Sequence, residues 1–373
     1  MSFFLKLLVW LLLIFSPQYS QTASSQGMFS NGGALFHGLS DLAGGDFSSM
    51  AQKVSADGKV VAGTGMTVSG SQAFVWTAES GIVGLGNVPD DRFIDSWAYG
   101  ISDNGAVIVG AGNSGSSWET RTGFVWTEEN GMQVIGSLNG STRFEVFATC
   151  SNGSVIAGDG GQQAFLWKKE TGIIGLGVLP GRNRSRAVDV SADGSVVVGS
   201  SYNLPDWDSE QAFRWTSDKG MAGLGFLPGG QRSFALAVSG DGNVIIGTGD
   251  SSFGYAAFRW TQETGMIPIG HLLGKSTTHP EDLNANGSVI VGGSYGPGGT
   301  DPQAFIWDKT HGMRILQQVL QTEYQLDLAG WTLHTAKGMT PDGKVIVGWG
   351  KNPDGQQEAF RVILDRKNVA PGQ

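Results

Sequence analysis

Residues 212–250 read AFRWTSDKGMAGLGFLPGGQRSFALAVSGDGNVIIGTGD, and this stretch decides the fold. SFALAVS (233–239) alternates apolar with small or polar residues, as a half-buried strand does. Gly240-Asp241-Gly242 follows, and Asp-Gly tolerates the positive φ of a tight hairpin turn, so an antiparallel partner is expected next. NVIIG (243–247) supplies it as a short, continuously apolar run, the composition of a strand covered on both faces. AFRWT at the head of the stretch is an aromatic-rich third strand. GMAGLG after it is a fourth, and the same pair returns downstream as AAFRWT (256–261) and MIPIGHL (266–272). Gly and Pro fall between these runs rather than inside them, and no helical spacing is present.

Working outward, two markers alternate along the whole chain. Asp-Gly or Asn-Gly recurs at 57, 104, 152, 193, 241, 286 and 342, with spacings of 47, 48, 41, 48, 45 and 56 residues. An Ala-Phe-x-Trp element recurs at Ala73, Gly123, Ala164, Ala212, Ala257 and Ala304; the seventh copy, Ala359-Phe360-Arg361-Val362, has Val in place of Trp. Seven copies of a four-stranded antiparallel unit of this length predict an all-β, seven-bladed β-propeller. The last repeat stops after AFRVIL (359–364), while GALFHGLSDL (33–42) resembles a fourth strand with nothing before it. The two ends are therefore expected to complete one blade and close the ring, removing the exposed edges of an open array. At Val362 less surface is expected to pack. Leu316, Val319 and Leu320 within 314–330 are spaced for one face of a short helix.

The composition agrees. Gly is abundant at 59 of 373 residues and charged residues are sparse at 15%, as in a protein of many short strands and tight turns. A net charge of −9 argues against a nucleic-acid partner, which requires concentrated Lys and Arg. Lys6, the apolar run Leu7–Phe15 and Pro17, followed by small residues, read as a secretory signal over 1–23. The propeller is expected over 34–365 and a disordered tail over 366–373. No second apolar run follows, so the mature chain is expected to lack a membrane span and to be a secreted monomer, extracellular, periplasmic or at the cell surface. The single cysteine, Cys150, is expected to be a buried thiol at a position where other repeats carry small apolar residues.

The repeat also resembles the HAF-type extracellular repeat family of bacteria. Leu224-Gly225-Phe226-Leu227-Pro228-Gly229-Gly230 and Ser191-Ala192-Asp193-Gly194 match its pattern, as does the closing stretch from Gly330-Trp331-Thr332-Leu333 to Gly348. The resemblance covers nearly all of 34–365. It implies a secreted or surface-exposed bacterial protein and carries no established activity or catalytic residues.

For chemistry, the sequence offers positions rather than motifs. The Asp/Asn-Gly turns carry too few oxygen ligands for calcium, the five histidines lack metal-ligand spacing, and no cofactor motif is present. In a four-stranded meander, the first-to-second and third-to-fourth turns share one face of the ring, and here they are short and repetitive. The second-to-third and blade-to-blade connections share the other face, and they are long and variable, the usual place for binding residues on a rigid scaffold. Candidate ligand-binding residues on that variable face are Arg92, Trp118, Arg143, Arg184, Tyr202, Trp207, Arg232, Tyr255, Tyr295 and Trp349. Aromatic rings with Arg and carboxylates at a ring mouth point to a non-enzymatic scaffold for a glycan or a surface protein. The alternative is a polysaccharide hydrolase or lyase using loop carboxylates such as Asp91, Asp206 or Asp208, which must converge to within about 5–10 Å.

Overall fold

The computed structural model describes residues 28–30, 34–88, 95–113, 120–205, 209–252 and 254–364. The leader, the tail and the loop candidates Arg92, Trp118 and Trp207 lie outside the described residues. Seven antiparallel sheets follow one another in a ring. Blade 4 is typical: an inner strand Arg184–Val190, then Val196–Tyr202, Gln211–Thr216 and an outer strand Gly220–Gly223. Blade 7 takes its first three strands, Thr332–Met339, Val345–Lys351 and Gln357–Leu364, from the C-terminal end. Its fourth, Ala34–Gly38, comes from the N-terminal end in the register Phe36↔Val362. A fifth strand, Met28–Ser30, adds to its outer edge, which the repeat count does not foretell.

Each Asp/Asn-Gly turn is built by its own side chains. In blade 4 the Ser191 hydroxyl donates to Asp193 Oδ1 at 2.7 Å and accepts the Val196 N–H at 2.9 Å, while Asp193 accepts the Ser195 N–H. The same bonds recur with Ser55, Ser102, Ser239 and Thr340. Cys150 occupies this hydroxyl position rather than an apolar one: its Sγ accepts the Val155 N–H at 3.2 Å, and it is buried. The glycine of the turn is required twice over. Gly194 has φ +74°, and a Cβ there would lie 2.6 Å from Val155 of the preceding blade.

These turn tips join into a collar around the axis. The N–H of Ala56 donates to Asp103 O, Asp103 to Ser151 O, Ser151 to Ala192 O and Ala192 to Gly240 O, at 2.8–3.1 Å. Asp241 donates to Ala285 O at 3.4 Å and Ala285 to Pro341 O at 2.9 Å. The seventh link is missing because Pro341 has no N–H to give. Arg361 Nε spans that seam, donating to Gly58 O at 2.7 Å as Arg259 Nε does to Gly287 O at 3.2 Å between blades 5 and 6, and the Arg361 guanidinium lies over Trp76, 5.7 Å from the ring centroid.

Every inner strand carries one extra residue at the same place. The register slips between Ala51 and Lys53, Ala98 and Gly100, Val146 and Ala148, Ala187 and Asp189, Ala235 and Ala237, Pro280 and Asp282, and Ala336 and Gly338. The bulge drives a carbonyl of the inner strand into the second strand, where a Cβ on Gly63, Gly110, Gly158, Gly199, Gly247, Gly292 or Gly348 would sit 1.9–2.2 Å from it. This is why each apolar second strand contains a glycine.

The aromatic element packs between blades, as expected: Phe74, Phe124, Phe165, Phe213, Phe258, Phe305 and Phe360 are all fully buried. In six blades its Trp lies opposite a Met or Ile of the outer strand, as in Trp215↔Met221. In blade 7 Val362 lies opposite Phe36, so the large ring has moved to the partner strand. Trp331 then packs edge-on against Phe36 with centroids 5.0 Å apart. The expected loss of packing at Val362 does not occur; that side chain is fully buried. Gly123 replaces the usual Ala for a comparable reason, since a Cβ there would press Val146 at 2.6 Å and Phe144 at 3.1 Å. In blades 1, 2, 4 and 5 a buried serine fills the place of Phe144: Ser233 accepts the Ala212 N–H at 3.0 Å and donates to Gly225 O at 2.7 Å, stapling blade 4 to blade 5. Helix α1 (Leu316–Glu323) buries Leu316, Val319 and Leu320 at the junction of blades 6 and 7, as the spacing predicts.

Two stability outcomes follow. Phe36→Ala empties a fully buried site at the seam and is expected to cost about 3–5 kcal/mol in chemical denaturation. Gly199→Ala forces a methyl against the Arg186 carbonyl and is expected to cost about 1–3 kcal/mol. A melting curve unchanged by either substitution contradicts the corresponding packing argument.

Candidate functional site

Strand direction fixes which residues reach the variable face: the starts of inner strands, the ends of second strands and the starts of third strands. The structure places Tyr202, Tyr255, Tyr295 and Trp349 on such strand ends rather than in loops, and Arg184 at the start of an inner strand. The loop reading of these five is thus corrected: hydrogen-bonded pairing runs farther than the apolar pattern, as in Asp250↔Tyr255 and Arg184↔Tyr202. Arg143 and Arg232 lie in blade-to-blade connections, as expected.

The mouth divides into two halves. Over blades 2–5 it is built from guanidinium groups set on buried carboxylates. Arg143 pairs with Glu145 at 3.0 Å and approaches Asp159 at 3.7 Å; these two carboxylates face each other across the strand pair. Arg186 pairs with Glu210 at 3.4 Å, and Glu210 also accepts the Ser200 hydroxyl. Arg232 pairs with Asp250 at 3.6 Å. The carboxylates of Glu145, Asp159 and Glu210 are 5%, 3% and 1% exposed, whereas their Arg partners remain half-exposed. Burial pushes the Asp159 and Glu210 carboxyls up, against the pull of the neighbouring arginines. Arg121 lies over the Trp97 ring at 4.4 Å. Burial and Glu145 push the Tyr99 phenol up to about 12.

Over blades 5–7 the mouth is aromatic and imidazole. Phe234, Tyr255, His279 and Tyr295 form a row with successive centroids 6.3, 6.1 and 5.7 Å apart. The Tyr255 hydroxyl is shared with Thr248 at 2.7 Å and that of Tyr295 with Thr335 at 3.1 Å, fixing both rings. Burial lowers the His279 pKa, against the pull of Glu281, and so favours the neutral imidazole in this row. Trp349 stands edge-on to His334 at 5.0 Å. Beside this pair a groove of about 590 Å³ runs along helix α1, lined by Gln317, Gln318, Gln321, His334 and Lys351 among others.

Sequence reasoning treated the repetitive face as scaffold alone and missed an axial chamber there. A cavity of about 320 Å³ lies on the axis, lined by inner-strand residues of all seven blades. Lys53 Nζ reaches Asp282 at 2.9 Å and Lys337 Nζ reaches Glu281 at 2.7 Å. Asp189 accepts the Val238 N–H of the next blade at 2.8 Å, as Asp282 does from Met339. The signal was present in the aligned repeats. The position after the bulge reads Lys53, Gly100, Ala148, Asp189, Ala237, Asp282 and Gly338, with three charges among small residues. Among the described residues, no group of three or more His, Cys, Asp or Glu side chains is placed to hold a metal ion. Among the same residues, no helix is long and apolar enough to cross a membrane.

Burial pushes the Asp189 carboxyl up to about 6, only partly offset by Lys53 and the Val238 N–H. Its proton is held more tightly folded than unfolded. The stability it contributes is therefore complete below about 4, the ordinary carboxyl value, and is lost as the pH rises through about 6. In Asp189→Asn the drop in melting temperature between pH 5 and pH 7.5 is expected to shrink relative to the parent; an identical drop contradicts this assignment.

No protein-family model and no curated protein matches the sequence. Among solved structures, the chain is similar to a chain from a study of two prolyl endopeptidases, at a TM-score of 0.58 and 12% identity over 84% of this chain and 47% of that one. It is also similar to the β-propeller domain of the Trilobed protease from Pyrococcus furiosus, at a TM-score of 0.52 and 10% identity over 87% and 95% of the two chains. TolB from Acinetobacter baumannii aligns over 83% of this chain and 79% of its own at 16% identity and a TM-score of 0.47. The Pyrococcus domain is described as having an open velcro topology, whereas here Ala34–Gly38 closes the ring. At these identities the likeness is one of fold: the chain is a seven-bladed β-propeller repeat protein.

Proposed function

We propose that this chain is a secreted bacterial repeat protein of the HAF type whose variable-face mouth binds an extracellular carbohydrate or surface protein without turning it over. The observation that carries the reading is the two-part mouth: half-exposed guanidiniums over blades 2–5 beside a row of fixed aromatic rings over blades 5–7. Convergent polar groups beside aromatic surface on a rigid ring are the ordinary construction of a binding site. Secretion rests on the leader-like 1–23 and on the resemblance of the repeats. The binding reading is preferred to a hydrolase or lyase because Glu145, Asp159 and Glu210 are buried beneath arginines, and Asp250, the more exposed fourth, is held by Arg232 and by the Gln231 and Arg232 N–H groups. Asp91, Asp206 and Asp208 lie outside the described residues.

A glycan array and a pull-down from extracellular material, run with the parent chain and with Tyr255→Ala and Tyr295→Ala, test the reading. A ligand is expected whose affinity falls at least tenfold in these variants while the melting temperature stays within a few degrees. No ligand, or one indifferent to both rings, contradicts it. Depolymerisation of a bound polysaccharide contradicts the non-enzymatic part alone.

A further inference from the structure

Resting on that binding reading, we propose that the mouth takes a polyuronate, a polysaccharide segment whose sugar carboxylates dock on the arginine arc and whose ring faces lie on the aromatic row. The arc spans three consecutive gaps between blades. Arg121 opens the third strand of blade 2 and Arg143 lies between blades 2 and 3; Arg182 lies between blades 3 and 4, with Arg184 and Arg186 on the inner strand of blade 4, and Arg232 lies between blades 4 and 5. The Nε atoms of Arg121, Arg182 and Arg184 are buried and meet no hydrogen-bond acceptor among the described residues, while that of Arg143 lies 3.7 Å from Asp159 Oδ2. A guanidinium is a fixed fork of five donors that matches a carboxylate bidentately. Glu145 and Glu210 hold Arg143 and Arg186 from below, so those forks are preset while their outer edges stay half-exposed. On a chain of net charge −9, six arginines in one arc are a local exception to the overall balance.

The second half of the mouth selects among carboxylate ligands. An acidic peptide supplies carboxylates but no flat apolar face for every charge. A pyranose uronate supplies both, one carboxylate and one C–H face per residue. The row Phe234, Tyr255, His279 and Tyr295 continues from the blade that follows Arg232 and offers ring surface beside the arc.

Calorimetric titration separates the alternatives. The probes are short oligomers of galacturonate, guluronate and glucuronate, the methyl-esterified galacturonate oligomer, and polyglutamate of similar length. At least one uronate oligomer is expected to bind, to weaken with added salt, and to exceed both the methyl ester and polyglutamate by tenfold or more. Arg184→Gln is the variant of choice, because the Arg184 guanidinium donates to the neighbouring Asn183 carbonyl at 3.4 Å and anchors no buried carboxylate. It is expected to lose at least fivefold in affinity with an unchanged melting temperature. A methyl ester that binds as tightly as the acid overturns the uronate assignment and leaves the binding function standing. Polyglutamate binding as tightly overturns it in favour of an acidic polypeptide. If no probe binds, the proposal falls, and the glycan and pull-down screen decides separately whether the binding function falls with it.

Discussion

One contact recurs at every blade boundary but the last and sets the geometry of the rest: the turn glycine pressed against the first valine of the preceding blade's second strand. Gly105 sits on Val60, Gly153 on Val107, Gly194 on Val155, Gly242 on Val196 and Gly287 on Val244, while Gly58 closes the circle on Val345. A residue with a Cβ fails there on two counts, the positive φ and the lost clearance. With the tips so placed, a single backbone hydrogen bond spans each of six gaps in the collar. The inner strands then converge so tightly that the bulge carbonyl can be accommodated only beside a glycine. Two close approaches, one made six times and the other seven, thus each demand a glycine at a fixed place in the repeat.

Closure imposes a different constraint. Pro341 breaks the collar between blades 7 and 1, and blade 7 is also where the chain's two ends meet. The substitutions concentrated there act together. Phe36 and Val362 exchange the large and small members of the usual pair, and Trp331 covers Phe36; Arg361 ties Gly58 across the gap as Arg259 ties Gly287. Ser49 repeats the serine staple over a sequence separation of 310 residues, accepting the Ala359 N–H at 3.0 Å. These contacts form only when the first and last segments are both present, so this boundary is the most non-local in the fold.

The fold was legible because its determinants repeat. Seven Asp/Asn-Gly turns, seven aromatic elements and one split blade leave few other solutions, and the short helix at Leu316 was visible from three side chains. The extra strand Met28–Ser30 was not legible, since three residues carry no period. Nor was the hydroxyl role of Cys150, because a thiol reads as apolar until Asn152 Oδ1 is seen to accept from it and the Val155 N–H to donate to it. Loops were over-credited for a related reason. Pairing continues through Tyr202, Tyr255 and Tyr295, where the side chains no longer alternate because they face the mouth rather than a core.

The mouth becomes readable once the repeats are aligned on the bulge. The residue just before it reads Ala51, Ala98, Val146, Ala187, Ala235, Pro280 and Ala336, nearly constant, because it faces the adjacent blade where volume is fixed. One position earlier the sequence reads Met50, Trp97, Glu145, Arg186, Phe234, His279 and Thr335, and no two are alike. Both positions lie on the same strand within one pleat, so fold requirements alone do not explain the contrast. Packing holds the first uniform; the second is released from that constraint and differs blade by blade. That divergence produces a charged half beside an aromatic half on an otherwise sevenfold scaffold, so the character of the described mouth is a product of the ring's asymmetry rather than of its repeat.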